Sequence, residues 1–220
     1  MPSDWIVQPP EALRRLFPRS LWRDADHTSK RLFVSFDDGP VPEQTPWVLD
    51  TLARHGARAT FFCVGENVRR HPGIFEDVVA RGHAVGNHTY NHVPLFRVGW
   101  RAFSSNADLC TEAMGGGVRL FRAPHGHLTP WHAWLLTRGR FDRVVFWDVM
   151  PKDYDNRLTE QEVWLNVRRF ARPGSVIVFH DSIKAGPRMR YALERTLEEF
   201  GAEGYEFAAI GQAAATHKLS

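Results

Sequence analysis

The stretch Arg31-Leu32-Phe33-Val34-Ser35-Phe36-Asp37-Asp38-Gly39-Pro40 joins a run of apolar, largely β-forming residues to two adjacent carboxylates and a turn. Its β-branched and aromatic residues predict a strand over Arg31–Phe36. Two neighbouring carboxylates at a strand end repel each other unless a cation or a basic group stands between them. Gly39 and Pro40 then turn the chain sharply and keep the acids there. An isolated Asp-Asp-Gly usually marks nothing more than a solvated turn, so its meaning depends on the rest of the chain.

Working outward, short β-branched or aromatic runs recur at Arg58–Val64, Ala84–Val85, Arg119–Phe121, Val144–Trp147, Ser175–Phe179 and Glu206–Ala209. Helical periodicity fills the gaps, at Thr45–His55, Pro72–Arg81, Asn106–Met114, Thr129–Thr137, Thr159–Phe170 and Arg188–Phe200. Thr159 with Glu162 three residues on predicts a capping box. Strands alternating with helices argue for parallel βαβ units, in a β/α barrel or an open α/β sheet. In a barrel, chemistry collects at the C-terminal ends of the strands.

Composition narrows the function classes. The 220 residues suit one large domain, and 43% hydrophobic with 24% charged residues excludes a disordered chain. No apolar run approaches the roughly 20 residues needed to cross a bilayer. A net charge of +3, without a block of like charges, gives no argument for nucleic acid as a partner. Cys63 and Cys110 lie in apolar surroundings without metal spacing and read as buried thiols. Met1–Asp24 carries Pro2, Asp4, Pro9, Pro10 and Glu11 where a secretory signal needs an apolar stretch, so a cytoplasmic location is expected.

The other polar groups fall just after predicted strands. Asn87-His88-Thr89-Tyr90-Asn91-His92 offers two histidines at i and i+4, which share one face and reach one metal ion if the segment is helical. Arg122 precedes Ala123-Pro124-His125-Gly126, Asp153-Tyr154 follows Trp147-Asp148-Val149, and His180-Asp181 ends the run Ser175–Phe179. Taken singly, Arg122 reads as a surface ion-pair residue and Asp153 as a loop residue. His180, at the end of a buried strand, is more suggestive of a cleft.

Taken in order, these motifs, with Ala59-Thr60-Phe61-Phe62-Cys63-Val64-Gly65 and Gly82–His92, resemble the polysaccharide deacetylase family, the nodulation-protein-B homology domain of carbohydrate esterase family four. The resemblance runs from about Arg31 to about Ala209. It implies a distorted (β/α) barrel of seven or eight strands over residues 31–220, with 1–30 as a lead-in segment. It also implies metal-dependent removal of acetyl groups, usually from N-acetylated sugars.

By position, the resemblance implies Asp38, His88 and His92 as metal ligands, Asp37 as general base and Arg122 as the residue orienting it. His180 matches the general acid and Asp153 the aspartate paired with it. Tyr154 stands at a groove-wall position usually held by Trp. The His125 N–H matches the oxyanion donor, and Val178 lines the acetate-methyl pocket. One carboxylate and two neutral imidazoles leave a divalent ion with net +1 and open positions, which suits zinc, or else cobalt or nickel. Met150 and Ala123 stand where relatives often carry Asp and Pro, which changes groove shape more than chemistry.

The implied function is an N-deacetylase acting on an acetylated saccharide. A hydrolase for acetyl esters or non-sugar amides, and a carbohydrate-binding relative that has lost turnover, are the alternatives. Among the aromatic residues, Trp131, Trp134 and Tyr154 are candidates for sugar stacking. The stretch Val93–Ser105, with Phe96, Trp100 and Phe103, either forms a substrate wall or simply packs. The mixed apolar and basic segment Leu13–Arg23 reads first as packing across the barrel, and second as peripheral contact with an anionic membrane.

Overall fold

The computed structural model describes residues 7–26 and 28–211. Among the described residues, seven parallel strands form one curled, half-barrel sheet: β1 (Arg31–Asp37), β2 (Thr60–Cys63), β3 (Ala84–Asn87), β4 (Leu120–Phe121), β5 (Arg143–Val144), β6 (Val176–His180) and β7 (Glu206–Phe207). Their order is β5-β4-β3-β2-β1-β6, with β7 beside the start of β1. The gap between β5 and β6 is bridged by short pairings. Leu21 N–H donates to Val144 O at 2.9 Å, Phe146 N–H to Leu21 O at 2.8 Å, and Val178 N–H to Val149 O at 3.0 Å.

The two-residue period of a strand sorts its side chains into two cores. Leu32, Val34 and Phe36 of β1, with Ile177 and Phe179 of β6, pack outward against the helices. Phe33 and Val176, which are register partners, belong to the small interior cluster with Phe62, Val145 and Ile210. On that interior face the pairs Ser35–Val178 and Asp37–His180 follow in the same register. The barrel interior is thus apolar at one end and polar at the C-terminal end of the strands.

The helices are α1 (Glu11–Arg15), α2 (Thr45–Arg54), α3 (Gly65–Arg70), α4 (Pro72–Ala80), α5 (Leu95–Ala113), α6 (Pro130–Leu136), α7 (Glu160–Phe170) and α8 (Gly186–Ala202). The Thr159–Glu162 capping box opens α7 in both directions. Helix α1 lies in the lead-in, where the sequence reading placed no helix, and two further helical expectations need correction. Helix α3 has no counterpart in the sequence reading, because Val68 is its only buried large apolar residue and no period shows. Helix α5 begins at Leu95 rather than Asn106. Its first turn exposes Phe96 and Val98 and breaks at Gly99 (φ 76°, ψ 166°), which hides the periodicity. The run Val144–Trp147 is a strand only at its start, where Val144 closes β5.

The lead-in packs into the barrel. Phe17 and Trp22 are buried, and Trp22 stacks on Phe146 at 4.2 Å. Arg14, almost buried, pairs at 2.6 Å with the fully buried Asp148. Leu13 and Leu16 stay exposed. Cys63 and Cys110 are free buried thiols, and burial pushes the Cys110 thiol up to about 12. Among the described residues, no helix is long and apolar enough to cross a membrane.

Candidate active site

Asp37 closes β1 with its side chain nearly buried. Its Oδ1 accepts from Arg122 Nη1 at 2.6 Å, and the same nitrogen donates to Ser35 Oγ at 2.9 Å. Arg122 is not a surface residue. It is 1% exposed, lies 4.0 Å over the Phe62 ring and donates to the carbonyls of Val145 and Phe146. Burial works against a charge on Asp37, but Arg122 first, then His88 and His180, outweigh it and hold the carboxyl below its usual range.

Asp38, His88 and His92 come together with one ligand atom each, all within 4.8 Å of one another. His92 Nε2 lies 3.3 Å from Asp38 Oδ1, and His88 Nε2 lies 3.8 Å from it. The segment carrying the histidines is not helical, contrary to the i, i+4 expectation. They converge instead because Thr89 and His92 adopt positive φ (65° and 57°), as does Asp38 (83°). Such left-handed backbone costs about 1–3 kcal/mol per residue and persists only where the surroundings hold it. Here Asn87 Oδ1 accepts from Thr89 N–H at 2.9 Å, and Asn106 Oδ1 accepts from Tyr90 N–H at 2.7 Å.

His88 Nδ1 faces the Arg122 carbonyl at 2.9 Å, which leaves Nε2 as the atom that could hold a cation. Burial, reinforced by His92 and only partly offset by Asp37, holds the His88 pKa down to about 4, so the ring is neutral at pH 7. A neutral imidazole is the form that binds a metal. The donor set of one carboxylate and two imidazoles therefore fits a divalent cation.

Across the cleft, His180 Nδ1 bonds Asp153 Oδ1 at 2.8 Å, while Asp153 Oδ2 accepts from the His180 N–H at 2.7 Å. Asp153 is fully buried rather than a free loop residue. Burial by itself would lower the imidazole's pKa; Asp153 outweighs it and raises the value to about 9. The ring is therefore a cation at neutral pH.

Asp37, Asp38, His88, His92, His125, Tyr154, Val178 and His180 all line one cleft of about 310 Å³. A larger cavity of about 620 Å³ lies at the opposite strand ends, beside Phe33 and Arg143, and holds none of these residues. In the turn after β4, Gly126 N–H bonds Ala123 O and His127 N–H bonds Pro124 O; the His125 N–H takes no part in that pair. Tyr154 meets His180 edge-on at 5.0 Å. Trp131 and Trp134 stack on each other at 4.6 Å and do not line the cleft.

The sequence reading missed four contributors. Trp147 and Lys184 line the cleft. Trp147 fits against Gly126, where a Cβ would lie 2.5 Å from the indole. Asn67 donates to the Asp38 carbonyl at 2.8 Å. Asp181 is fully buried, accepts from Thr45 Oγ1 at 2.5 Å, and sits where a Cβ on Gly39 would collide at 2.1 Å. It thus explains the glycine of the Asp-Asp-Gly turn. Only its place after His180 could have signalled that role.

A polysaccharide deacetylase family model matches residues 24–136. A peptidoglycan-N-acetylglucosamine deacetylase of Bacillus cereus is 30% identical over 199 residues, covering 86% of this chain and 90% of that protein. A chitooligosaccharide deacetylase of Azorhizobium caulinodans is 38% identical over 157 residues, 68% of this chain and 73% of that one. The crystal structure of the Bc1960 peptidoglycan N-acetylglucosamine deacetylase superposes with a TM-score of 0.82 at 26% identity, over 91% of this chain and 94% of that one. A family 4 carbohydrate esterase from Streptomyces lividans, in complex with acetate, superposes with a TM-score of 0.73 at 26% identity, over 82% and 93%. By sequence over most of its length, and by fold, this chain belongs to the polysaccharide deacetylase family.

Proposed function

We propose that this protein hydrolyses the acetamido group of an N-acetylated amino sugar within a saccharide, with a divalent cation held by Asp38, His88 and His92. Zinc suits this donor set, and cobalt or nickel are the alternatives. Bound there, the cation supplies Lewis acidity toward the amide carbonyl and makes water acidic enough to lose a proton near neutral pH.

The protein's own groups supply the rest. Asp37 Oδ1 is engaged by Arg122, so Oδ2 is the atom that takes the water's proton as oxygen attacks the carbonyl carbon. The His125 N–H donates to the carbonyl oxygen as negative charge develops on it. His180, held through Nδ1 by Asp153, gives its Nε2 proton to the departing nitrogen, and the carbon–nitrogen bond breaks to acetate and amine. Val178 offers the acetyl methyl an apolar contact, and Tyr154 walls the sugar.

The observation carrying this reading is the pairing in one cleft of a carboxylate fixed by a buried arginine with an imidazole fixed by a buried carboxylate. An amide needs such an acid because its nitrogen is a very poor leaving group, whereas an ester alkoxide leaves more readily. A binding module needs neither group. The test is acetate release from N-acetylglucosamine oligomers by metal-loaded protein, beside Asp37→Ala and His180→Ala. Release that disappears in both variants is expected. Release of acetate from an O-acetylated sugar alone would overturn the amide reading.

A further inference from the structure

Asp181 is a buried carboxylate that the reaction scheme above does not use. It follows His180 at the end of β6 and is fully buried. Its Oδ1 has no hydrogen-bond partner among the described residues. A buried carboxylate left half bare costs stability, so its presence needs a reason.

The reason lies in what it touches. Its Oδ2 accepts from Thr45 Oγ1 at 2.5 Å, and that hydroxyl accepts in turn from the Val41 N–H at 2.7 Å. The Asp181 N–H donates to the Asp37 carbonyl at 3.1 Å. The carboxylate also covers Gly39 so closely that a Cβ there would lie 2.1 Å from Oδ2. Asp181 thus holds the turn 37–41 at both ends and in the middle. Two carbonyls between are pinned from α3 and the residue before it, Asp38 O by Asn67 Nδ2 at 2.8 Å and Gly39 O by the Val64 N–H at 2.9 Å.

That turn carries Asp38, whose φ of 83° lies in the left-handed region. Such a conformation persists only where the surroundings hold it. Released from it, Asp38 would carry its carboxylate away from His92 Nε2 and His88 Nε2, which now stand 3.3 and 3.8 Å from Oδ1. A ligand that must be reordered on binding weakens the site.

We propose that Asp181 is a positioning residue for the cation site, acting through Thr45 and the 39–41 turn to hold Asp38 where its carboxylate meets His88 and His92. This rests on the cation reading under the proposed function.

The test measures zinc and cobalt Kd by calorimetry on wild type, Asp181→Asn, Thr45→Val and Thr45→Ser. Asp148→Ala, which is buried but does not line the cleft, serves as a control for destabilisation alone. Asp181→Asn and Thr45→Val should each raise Kd about 10–100-fold. Thr45→Val leaves the Asp181 carboxylate in place, so it separates positioning from loss of a nearby negative charge. Thr45→Ser keeps the hydroxyl and should restore wild-type Kd, and Asp148→Ala should leave Kd within about twofold. Unchanged Kd in both Asp181→Asn and Thr45→Val overturns the clamp, as does a rise in Asp181→Asn alone. An equal rise in Asp148→Ala overturns it too, since general destabilisation would then account for the effect. Wild type that binds neither metal sinks the cation site, and the clamp with it. Wild type that binds, beside variants that bind equally well, sinks the clamp alone.

Discussion

Asp37 and His180 are register partners on the adjacent parallel strands β1 and β6. Residues opposite each other in a parallel ladder project to the same face, so base and acid candidates stand side by side at the mouth of the barrel. Each is backed from a different direction, Asp37 by Arg122 after β4 and His180 by Asp153 in the loop before α7. The pair is therefore set by the sheet, while the protonation state of each member is set by what lies behind it.

Arg122→Met should be damaging twice over. It leaves Asp37 buried without its counter-charge, at a cost of about 3–5 kcal/mol. It also frees the carboxylate proposed above to take the water's proton. Urea denaturation should show the stability loss, and acetate release should fall at least about a hundredfold. An Arg122→Met protein of wild-type stability would show that the buried pair contributes nothing net.

Asp153→Asn should change how stability depends on pH. His180 is raised in the folded protein from 6.5 to about 9. A raised pKa stabilises the fold fully below about pH 6.5, and that contribution is lost as pH rises through about 9. Metal-free wild type should accordingly lose more stability than Asp153→Asn across that window. Denaturation midpoints measured between the two limits decide it, and parallel curves would refute the assignment.

Metal should stabilise the wild-type protein through three named side chains. At a hundredfold excess of zinc over its Kd, the gain is about 2.7 kcal/mol, visible as a higher Tm. Asp38→Ala and His92→Ala should abolish the rise while leaving the metal-free Tm close to wild type, since both side chains are about one-third exposed. A chelator should remove both the Tm rise and the acetate release.

A buried ion pair, Arg14 with Asp148, helps fasten the lead-in. Asp148→Ala leaves the Arg14 charge nearly buried without its partner and should cost about 3–5 kcal/mol. Removing both partners should cost less than the sum of the single changes, because no stranded charge remains. A double-mutant cycle by urea denaturation measures the difference. Strict additivity would mean that the two side chains do not interact in solution.

Much of this was readable in advance, and for identifiable reasons. The strand Arg31–Phe36 and the apolar run before His180 are fully buried parallel strands, which appear as continuous apolar runs. Helices α2, α7 and α8 each bury one face, so their period is visible, and in α4 the half-buried Ile74 and Phe75 beside the buried Val78 mark the same side. Where burial is weak or broken, as in α3 and the first turn of α5, the period vanishes. Arg122 and Asp153 looked like surface and loop residues when taken alone, because a charged side chain does not announce a buried partner.

By itself, the sequence determined the α/β class, the parallel order of strand and helix, and the clustering of polar residues just past the strand ends. Those properties follow from local periodicity and chain direction. The meetings of Asp37 with Arg122 and of His180 with Asp153 were implied by the family resemblance and by no local pattern, and tertiary structure alone decided that left-handed turns rather than a helix bring His88 and His92 together. Partners 85 and 27 residues apart are joined by the curl of the sheet, and no local pattern encodes that curl.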